Sequence, residues 1–473
     1  MKFINTSKNT VYLDDIDRDI PFLEDMSPQF ISLQDAKKSA GFRKLVKLNY
    51  FEITQHNNSL FERNLVKTQK KGKEMLKLIP KEKKNEITQK DKTETSKDQI
   101  EVRLRGNFYE LGGYAKVNRN LAFMLHNSGC KVHIDPVNKK SNQLCEDELR
   151  ALSQINSEVS KNAIVIESVI PTFSDAVCGK YRILYTTIEA YTVPQQFLEI
   201  ARTYREIWVT SDFCKKVLED HNLDRPIYVV PDSIDTDLYT AEHNEYEFKP
   251  KLNDFVFLSV FGWSYRKGYD TLLKAYLSEF SGDDDVSLLI VSRNHLGMGK
   301  DEVIKETIEK FINEYGGDNP PHIARCSKMI PESMMPSIYA ACDAFVLFSR
   351  GEGFGLPFCE SSLCGLPVIA SDCSGQSMFL KKNNSCLIDV DEIAEMQAGR
   401  MQVHYWDGQK FPMLNSEKTI EQAKKAMRYV YYNYDAASDK NDILRDYIAD
   451  NYSMKAVAKV VNARLSEIWR KIS

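Results

Sequence analysis

The densest chemistry in the sequence lies in Ser349-Arg350-Gly351-Glu352-Gly353-Phe354-Gly355-Leu356-Pro357-Phe358-Cys359-Glu360. Glycines at 351, 353 and 355 let a backbone come close to a ligand and expose its amides. The apolar run Ala344–Phe348 before them reads as a buried strand, and a helix is expected to open at about Pro357. The first amides of such a helix lack an intrahelical acceptor, so they can hold an anion or sugar hydroxyls. Glu352 falls before the turn and Glu360 about one turn inside the helix. Two carboxylates so placed can accept hydrogen bonds from two sets of hydroxyls, one on a sugar and one on a ribose. The same residues also suit a glycine-rich turn bordered by surface acids, and the glycines alone do not separate the two.

A segment of this kind needs a strand end and a helix start to hold it, and the chain offers that rhythm twice. From Ile100 come strand-like runs Ile100–Leu104, Lys131–Ile134, Ala163–Ile166, Tyr181–Tyr185 and Glu206–Val209, with an amphipathic helix at Lys116–Ser128. After Pro231 come Phe255–Val260, Ser287–Val291, Ala344–Phe348 and Pro367–Ala370. Helices are expected between them at about Gly268–Glu279, Asp301–Tyr315, Glu332–Cys342 and Cys359–Cys364. Nearly continuous apolar strands alternating with helices imply parallel sheets covered on both faces. The expected fold is α/β, with two doubly wound Rossmann-like domains facing a cleft where their strand carboxyl ends meet. The boundaries are expected at 100–247 and 248–438, with helices over 439–473 crossing back to the first domain.

Residues 1–62 read as a small α+β block. Strands are expected at Lys2–Ile4, Val11–Leu13 and Tyr50–Thr54, and a helix from Ser32 to about Leu48. The block is either an adaptor for a protein partner or a cap on the domain that follows. Residues 63–99 form a charged linker, lysine-rich with acids mixed in and without aromatics, which buries too little apolar area to offset its ordering entropy.

Composition argues against several classes, nucleic acid being disfavoured but not excluded. A formal net charge of −4 over 473 residues gives no global field for nucleic acid or an anionic membrane. Ten scattered cysteines contain no C-x-x-C pair, which suits reduced core thiols. The first twenty residues lack an apolar h-region, and no stretch approaches the ~18 apolar residues of a membrane span. A soluble cytoplasmic protein is expected. Asp283-Asp284-Asp285 is the densest acidic run and reads as a solvated turn, so no metal site is expected.

The segment from Glu352 to Glu360 resembles the E-x7-E signature of retaining family-4 glycosyltransferases (glycosyl transferases group 1) of the GT-B fold. Ile330-Pro331-Glu332 through Asp343-Ala344, Gly365–Asp372 with Gly375, Arg205–Ser211 and Tyr228–Asp235 resemble the family's flanking segments. The likeness covers about residues 100–470. It implies transfer of a sugar from a nucleoside diphosphate, UDP or GDP, to an acceptor hydroxyl. Glu352 would contact the donor sugar, amides of Gly353, Phe354, Gly355 and Leu356 would face sugar and diphosphate, and Glu360 would bind the ribose. The base would lie near Lys328, Met329 and Ile330.

The likeness also directs attention to Phe261–Gly268, where family members carry an arginine after the strand and a lysine before a glycine. Lys267 fits the lysine and would neutralise the diphosphate. Trp263 stands where the arginine is usual, and Arg266 is the nearest replacement. Gly112-Gly113 resembles the family's loop over the donor phosphates, or is a plain strand-to-helix turn; Tyr114 and Asn118 lie beside it. No histidine stands in Ile164–Phe173, where many members carry one; Glu167 or Ser168 would occupy that place, and His126 and His133 are read as structural. Glu189, before Pro194, resembles a family variant with a cleft acid that contacts or polarises the acceptor. The catalytic set is therefore Glu352, Lys267 and Glu189. Two other readings remain: a phosphorylase or hydrolase of the same fold, and a non-catalytic carbohydrate-binding or virion-associated structural protein.

Overall fold

Val102, Leu104 and Gly106 alternate inward along the first long strand, and Val132 and Ile134 do the same on its neighbour. That period-2 burial seeds a sheet with helices on its faces. The computed structural model describes residues 99–137, 143–170, 179–293, 301–327, 330–396 and 406–472, and five short strands within residues 2–55. The chain divides into two compact units, Met1–Thr95 and Ser96–Ser473.

In the first unit β1 (Lys2–Asn5) lies between β4 (Gln29–Phe30) and β5 (Phe51–Gln55), antiparallel to both. Strands β2 (Val11–Leu13) and β3 (Arg18–Ile20) form a separate antiparallel pair. Strands β3 and β4 were not expected from the sequence. The helix expected over 32–48 and the charged linker over 66–98 lie outside the described residues.

The second unit holds two six-stranded parallel sheets. The first consists of β6 (Glu101–Gly106), β7 (Lys131–Pro136), β8 (Ile164–Ser168), β9 (Tyr181–Thr186), β10 (Glu206–Val209) and β11 (Ile227–Val229), in the order β11-β10-β9-β8-β6-β7. Helices α1 (Gly113–Asn127), α2 (Glu146–Ile155), α3 (Gln195–Ala201) and α4 (Asp212–Asp220) connect them. The second consists of β12 (Phe255–Gly262), β13 (Val286–Arg293), β14 (His322–Cys326), β15 (Ala344–Leu347), β16 (Val368–Ser371) and β17 (Cys386–Ile388), in the order β14-β13-β12-β15-β16-β17. Its helices are α5 (Tyr269–Glu279), α6 (Asp301–Tyr315), α7 (Met335–Ala340) and α8 (Leu356–Leu363). Strand order reverses between β6 and β8, and again between β12 and β15. Loops leaving such points diverge and open a crevice at the strand carboxyl ends.

A small antiparallel pair, β18 (Ile393–Glu395) and β19 (Lys410–Pro412), leaves the second sheet and docks on the first domain. Phe411 and Trp406 are buried among Val193, Phe197 and Leu198. Helices α9 (Glu417–Tyr432), α10 (Tyr434–Tyr452) and α11 (Met454–Ile472) follow. The sequence suggested two helices here. The second breaks because Ser453 is extended and pairs with Ile234, the two forming a parallel bridge. Past that break α11 lies in the first domain's core, burying Val457, Val461, Leu465 and Ile468 against the β6–β11 sheet. Each such side chain contributes roughly 1.5–3 kcal/mol of burial. Arg464 on the same helix pairs with Glu206, which also accepts from Trp208 Nε1 and Tyr181 Oη at 2.8 Å each.

Candidate functional site

Three loops from the two switch points build the site. The first leaves β6 and enters α1 at Gly112-Gly113. A Cβ built on either glycine would meet no heavy atom within 4 Å, so the loop borders open space. Helix α1 has no side-chain cap and no acid in its first turn. The second loop leaves β12 and forms a 3₁₀ turn, Tyr265–Lys267. The third leaves β15 and carries residues 349–355 into α8, whose cap Gly355 has φ +107°. An L side chain there would be strained, and its Cβ would lie 2.8 Å from the Phe358 ring. Helix α8 also lacks a capping side chain and a first-turn acid.

The 3₁₀ turn decides where Arg266 and Lys267 point. Arg350 is fully buried and locks the turn. It makes two 2.8 Å bonds to Asp270, a 2.7 Å bond to the Tyr265 carbonyl, and lies over the Tyr265 ring at 3.9 Å. The turn then delivers Lys267 Nζ to Glu352 Oε1 at 2.5 Å. Arg266 Nη1 lies 3.6 Å from Glu352 Oε2 and Nη2 lies 2.9 Å from Glu189 Oε1. Arg266 also donates to the Gly351 carbonyl. The structure therefore joins Glu189 from the first domain with Arg266, Lys267 and Glu352 from the second. Burial is the strongest influence on Glu352 and pushes its pKa up, but Lys267 and Arg266 outweigh it and hold the carboxyl below its usual range. Burial and Arg266 pull the Lys267 ammonium below its usual value despite Glu352 and Glu189. A site that depresses a lysine in this way gains from an added anion.

A second cluster centres on Glu360. Its Oε1 receives Lys116 Nζ from α1 at 2.5 Å, and its Oε2 accepts from Tyr339 Oη at 3.0 Å. Lys116 also pairs with Glu332 and donates to Tyr239 Oη at 2.9 Å, and Tyr239 donates to Glu332. Sequence reading missed Lys116 and Tyr239. The only signal was a lysine on the first turn of a helix that follows two glycines.

Between the clusters the domains touch directly. The Gly353 carbonyl accepts from Thr210 Oγ1 at 3.0 Å and Ser211 Oγ at 2.6 Å. A Cβ on Gly353 would lie 1.3 Å from Thr187 Oγ1. The lack of a side chain on this glycine, expected to let a ligand approach, also lets the first domain approach. Ser374 Oγ accepts from the Glu352 amide at 3.0 Å, and Gly375 N donates to the Glu352 carbonyl at 2.8 Å, fixing the loop from behind.

The remaining expected residues divide. Phe354, Leu356 and Ile330 are buried, and Lys328 and Met329 lie outside the described residues. Glu167 binds Arg182 at 2.6 Å and Tyr204 at 3.1 Å, inside the first domain. Asn118 Nδ2 donates to the Asn107 carbonyl at 2.8 Å, and Ser168 offers its carbonyl to the same amide. Trp263, at the position of the expected arginine, stacks on Tyr269 with centroids 4.4 Å apart. His133 is tied to the Ser157 carbonyl at 3.0 Å and His126 is exposed. Asp284 is held by the Ser281 amide and Arg428. Among the described residues no group of three His, Cys, Asp or Glu side chains could hold a metal ion, and no helix is long and apolar enough to cross a membrane.

Comparison with known proteins bears on the fold. Residues 253–402 match the model of a family described as glycosyl transferases group 1. A stretch of 43 residues is 46% identical to the O-antigen chain mannosyltransferase B of Escherichia coli, covering 9% of this chain and 11% of that protein. The match thus spans a small part of that relative's length. Among solved structures, HepE of Anabaena in complex with UDP and glucose superposes with a TM-score of 0.52 at 14% identity, over 78% of this chain and 100% of that one. Sucrose-phosphate synthase of Thermosynechococcus elongatus gives 0.55 at 14% identity, over 79% and 100%. At such identities the likeness is one of fold: two Rossmann-like domains in the GT-B arrangement.

Proposed function

We propose that this chain, which carries a glycosyl transferases group 1 domain over residues 253–402, moves a sugar from a nucleoside diphosphate to an acceptor hydroxyl with retention of anomeric configuration. The observation that carries the reading is the meeting of Glu352, Lys267 and Arg266 from the switch-point loops with Glu189 from the loop after β9, with Glu360 one turn into α8. Glu352 takes hydroxyls of the donor sugar. Amides of Gly353, Phe354, Gly355 and Leu356 face sugar and diphosphate, and Glu360 takes the ribose. Ile330 borders the base. Gly112 and Gly113 border the phosphates from the first domain.

In the reaction the bond from the anomeric carbon to the β-phosphate oxygen breaks. The acceptor oxygen bonds to the same face, and its proton passes to the departing phosphate. Lys267 and Arg266 stabilise the charge that gathers there, in a site where burial strengthens their effect. Glu189, held by Arg266 at the edge of the first domain, orients the acceptor hydroxyl. Charge neutralisation by these two side chains supports a metal-independent reaction, so chelator is expected to leave turnover unchanged. The UDP and glucose bound to HepE support a UDP-sugar donor; a GDP-sugar is the alternative.

The test is a binding and hydrolysis screen over UDP-, GDP-, ADP- and TDP-sugars with wild type, Glu360→Ala and Lys267→Ala. Selective binding of one donor, lost in both variants, is expected. A folded wild type that binds none of them refutes the proposal.

A further inference from the structure

Lys116 sits at a place that a plain structural lysine would not need. Its pair with Glu360 ties the first turn of α1 to the first turn and a half of α8, across the two domains. Lys116 lies three residues past Gly113 and Glu360 four past Leu356, so they are about 4.5 and 6 Å along their helices from the first uncapped amides. The Lys116–Glu360 pair thus joins the first turns of two helices whose N-termini carry neither an acid nor a side-chain cap. Glu332 and Glu360 both pair with Lys116, and Tyr239 and Tyr339 complete the cluster. Burial is the largest influence on Lys116 and lowers its pKa, but Glu360 and Glu332 raise it above the usual value, so the ammonium stays charged.

We propose that Lys116 is a ligand for the donor's diphosphate, parked on Glu360 and Glu332 until the nucleotide arrives. The inference rests on the glycosyltransferase reading. A ribose diol that takes Glu360 Oε1 competes with the lysine for that oxygen. The released ammonium needs another anion, and the α- or β-phosphate at the ends of α1 and α8 is within its reach. The exchange leaves Glu360 bonded to hydroxyls, Glu332 to the Tyr239 hydroxyl and Lys116 to phosphate. The first domain, which borders the phosphates with the backbone of Gly112 and Gly113, then contributes a charge of its own.

Titration calorimetry with the full chain tests this, using the nucleoside diphosphate that binds wild type best in a screen of UDP, GDP, ADP and TDP, beside its parent nucleoside. Lys116→Met is expected to weaken the diphosphate at least about tenfold and leave the nucleoside unchanged or tighter. Glu332→Gln, which keeps the Lys116–Glu360 pair, is expected to tighten the diphosphate several-fold, and the gain should vanish when Lys116→Met is added. Equal weakening of both ligands by Lys116→Met assigns the lysine to structure alone and overturns the proposal, as does a Glu332→Gln gain that survives the double variant. If Lys116→Met does not fold, a Glu332→Gln chain that binds diphosphate no tighter than wild type overturns it equally. A wild type that binds no nucleotide defeats the glycosyltransferase reading itself, and this inference with it.

Discussion

Asp232 follows β11 and is 7% exposed. Its Oδ1 lies 2.9 Å from Tyr185 Oη, and that hydroxyl also lies 3.1 Å from the Val230 carbonyl. One hydroxyl proton cannot serve both acceptors well. A protonated Asp232 resolves this by donating to Tyr185, which then donates to Val230. Burial agrees, pushing the carboxyl from 3.8 up to about 7, against a small opposing effect of the Tyr185 bond. Because the folded value is raised, the stabilising protonated form is fully present below about pH 4, and stability falls as pH rises towards 7. The whole shift is worth about 4 kcal/mol. For residues 96–473 that corresponds to a change in melting temperature of about 5 °C. Asp232→Asn keeps the shape and cannot ionise. Its melting temperature should match wild type near pH 4 and exceed it by several degrees at pH 8, in scans of both proteins at each pH. The nearby Tyr114, Cys214 and Cys359 are all raised by burial above their ordinary values, so they do not titrate in this window. A wild-type-to-variant difference that stays flat from pH 4 to 8 refutes the reasoning.

Two further outcomes are expected. Arg464→Met leaves Glu206 fully buried without its cation, which should cost about 3–5 kcal/mol in urea unfolding. Adding Glu206→Gln should recover part of the loss. Gly353→Ala drives a methyl into Thr187, so about 1–3 kcal/mol of stability should be lost, with weaker donor binding; unchanged donor affinity would detach that contact from the site.

The sheets were legible in sequence wherever strands are buried on both faces, because Ala344–Leu347 and Glu206–Val209 are continuous blocks with no polar alternation to mislead. Strands β11 and β14 were missed because they are sheet edges, half-buried along their length, and β17 is an edge strand of three residues with only one fully buried. The carboxylates Glu352 and Glu360 could be read because the glycines around them mark a turn. The direction of Arg266 could not, since it depends on a 3₁₀ turn fixed by Arg350 and Asp270 about 80 residues apart. Lys116 was invisible for the same reason on a larger scale: its meaning lies in Glu360, 244 positions away. Glu167 shows the reverse error, a buried acid on a strand end that is consumed by Arg182 and Tyr204.

Helix α11 places a constraint on how the protein is made. The ribosome delivers β6 to β11 early, yet the apolar stripe Val457, Val461, Leu465 and Ile468 that finishes their core emerges only after the whole second sheet. Until then the early half carries an uncovered greasy flank and Glu206 has no Arg464. During synthesis this half is the one that would attract chaperones or stick to its neighbours, and the second sheet can close first. A premature stop before Met454 therefore spoils the half of the molecule that was translated first.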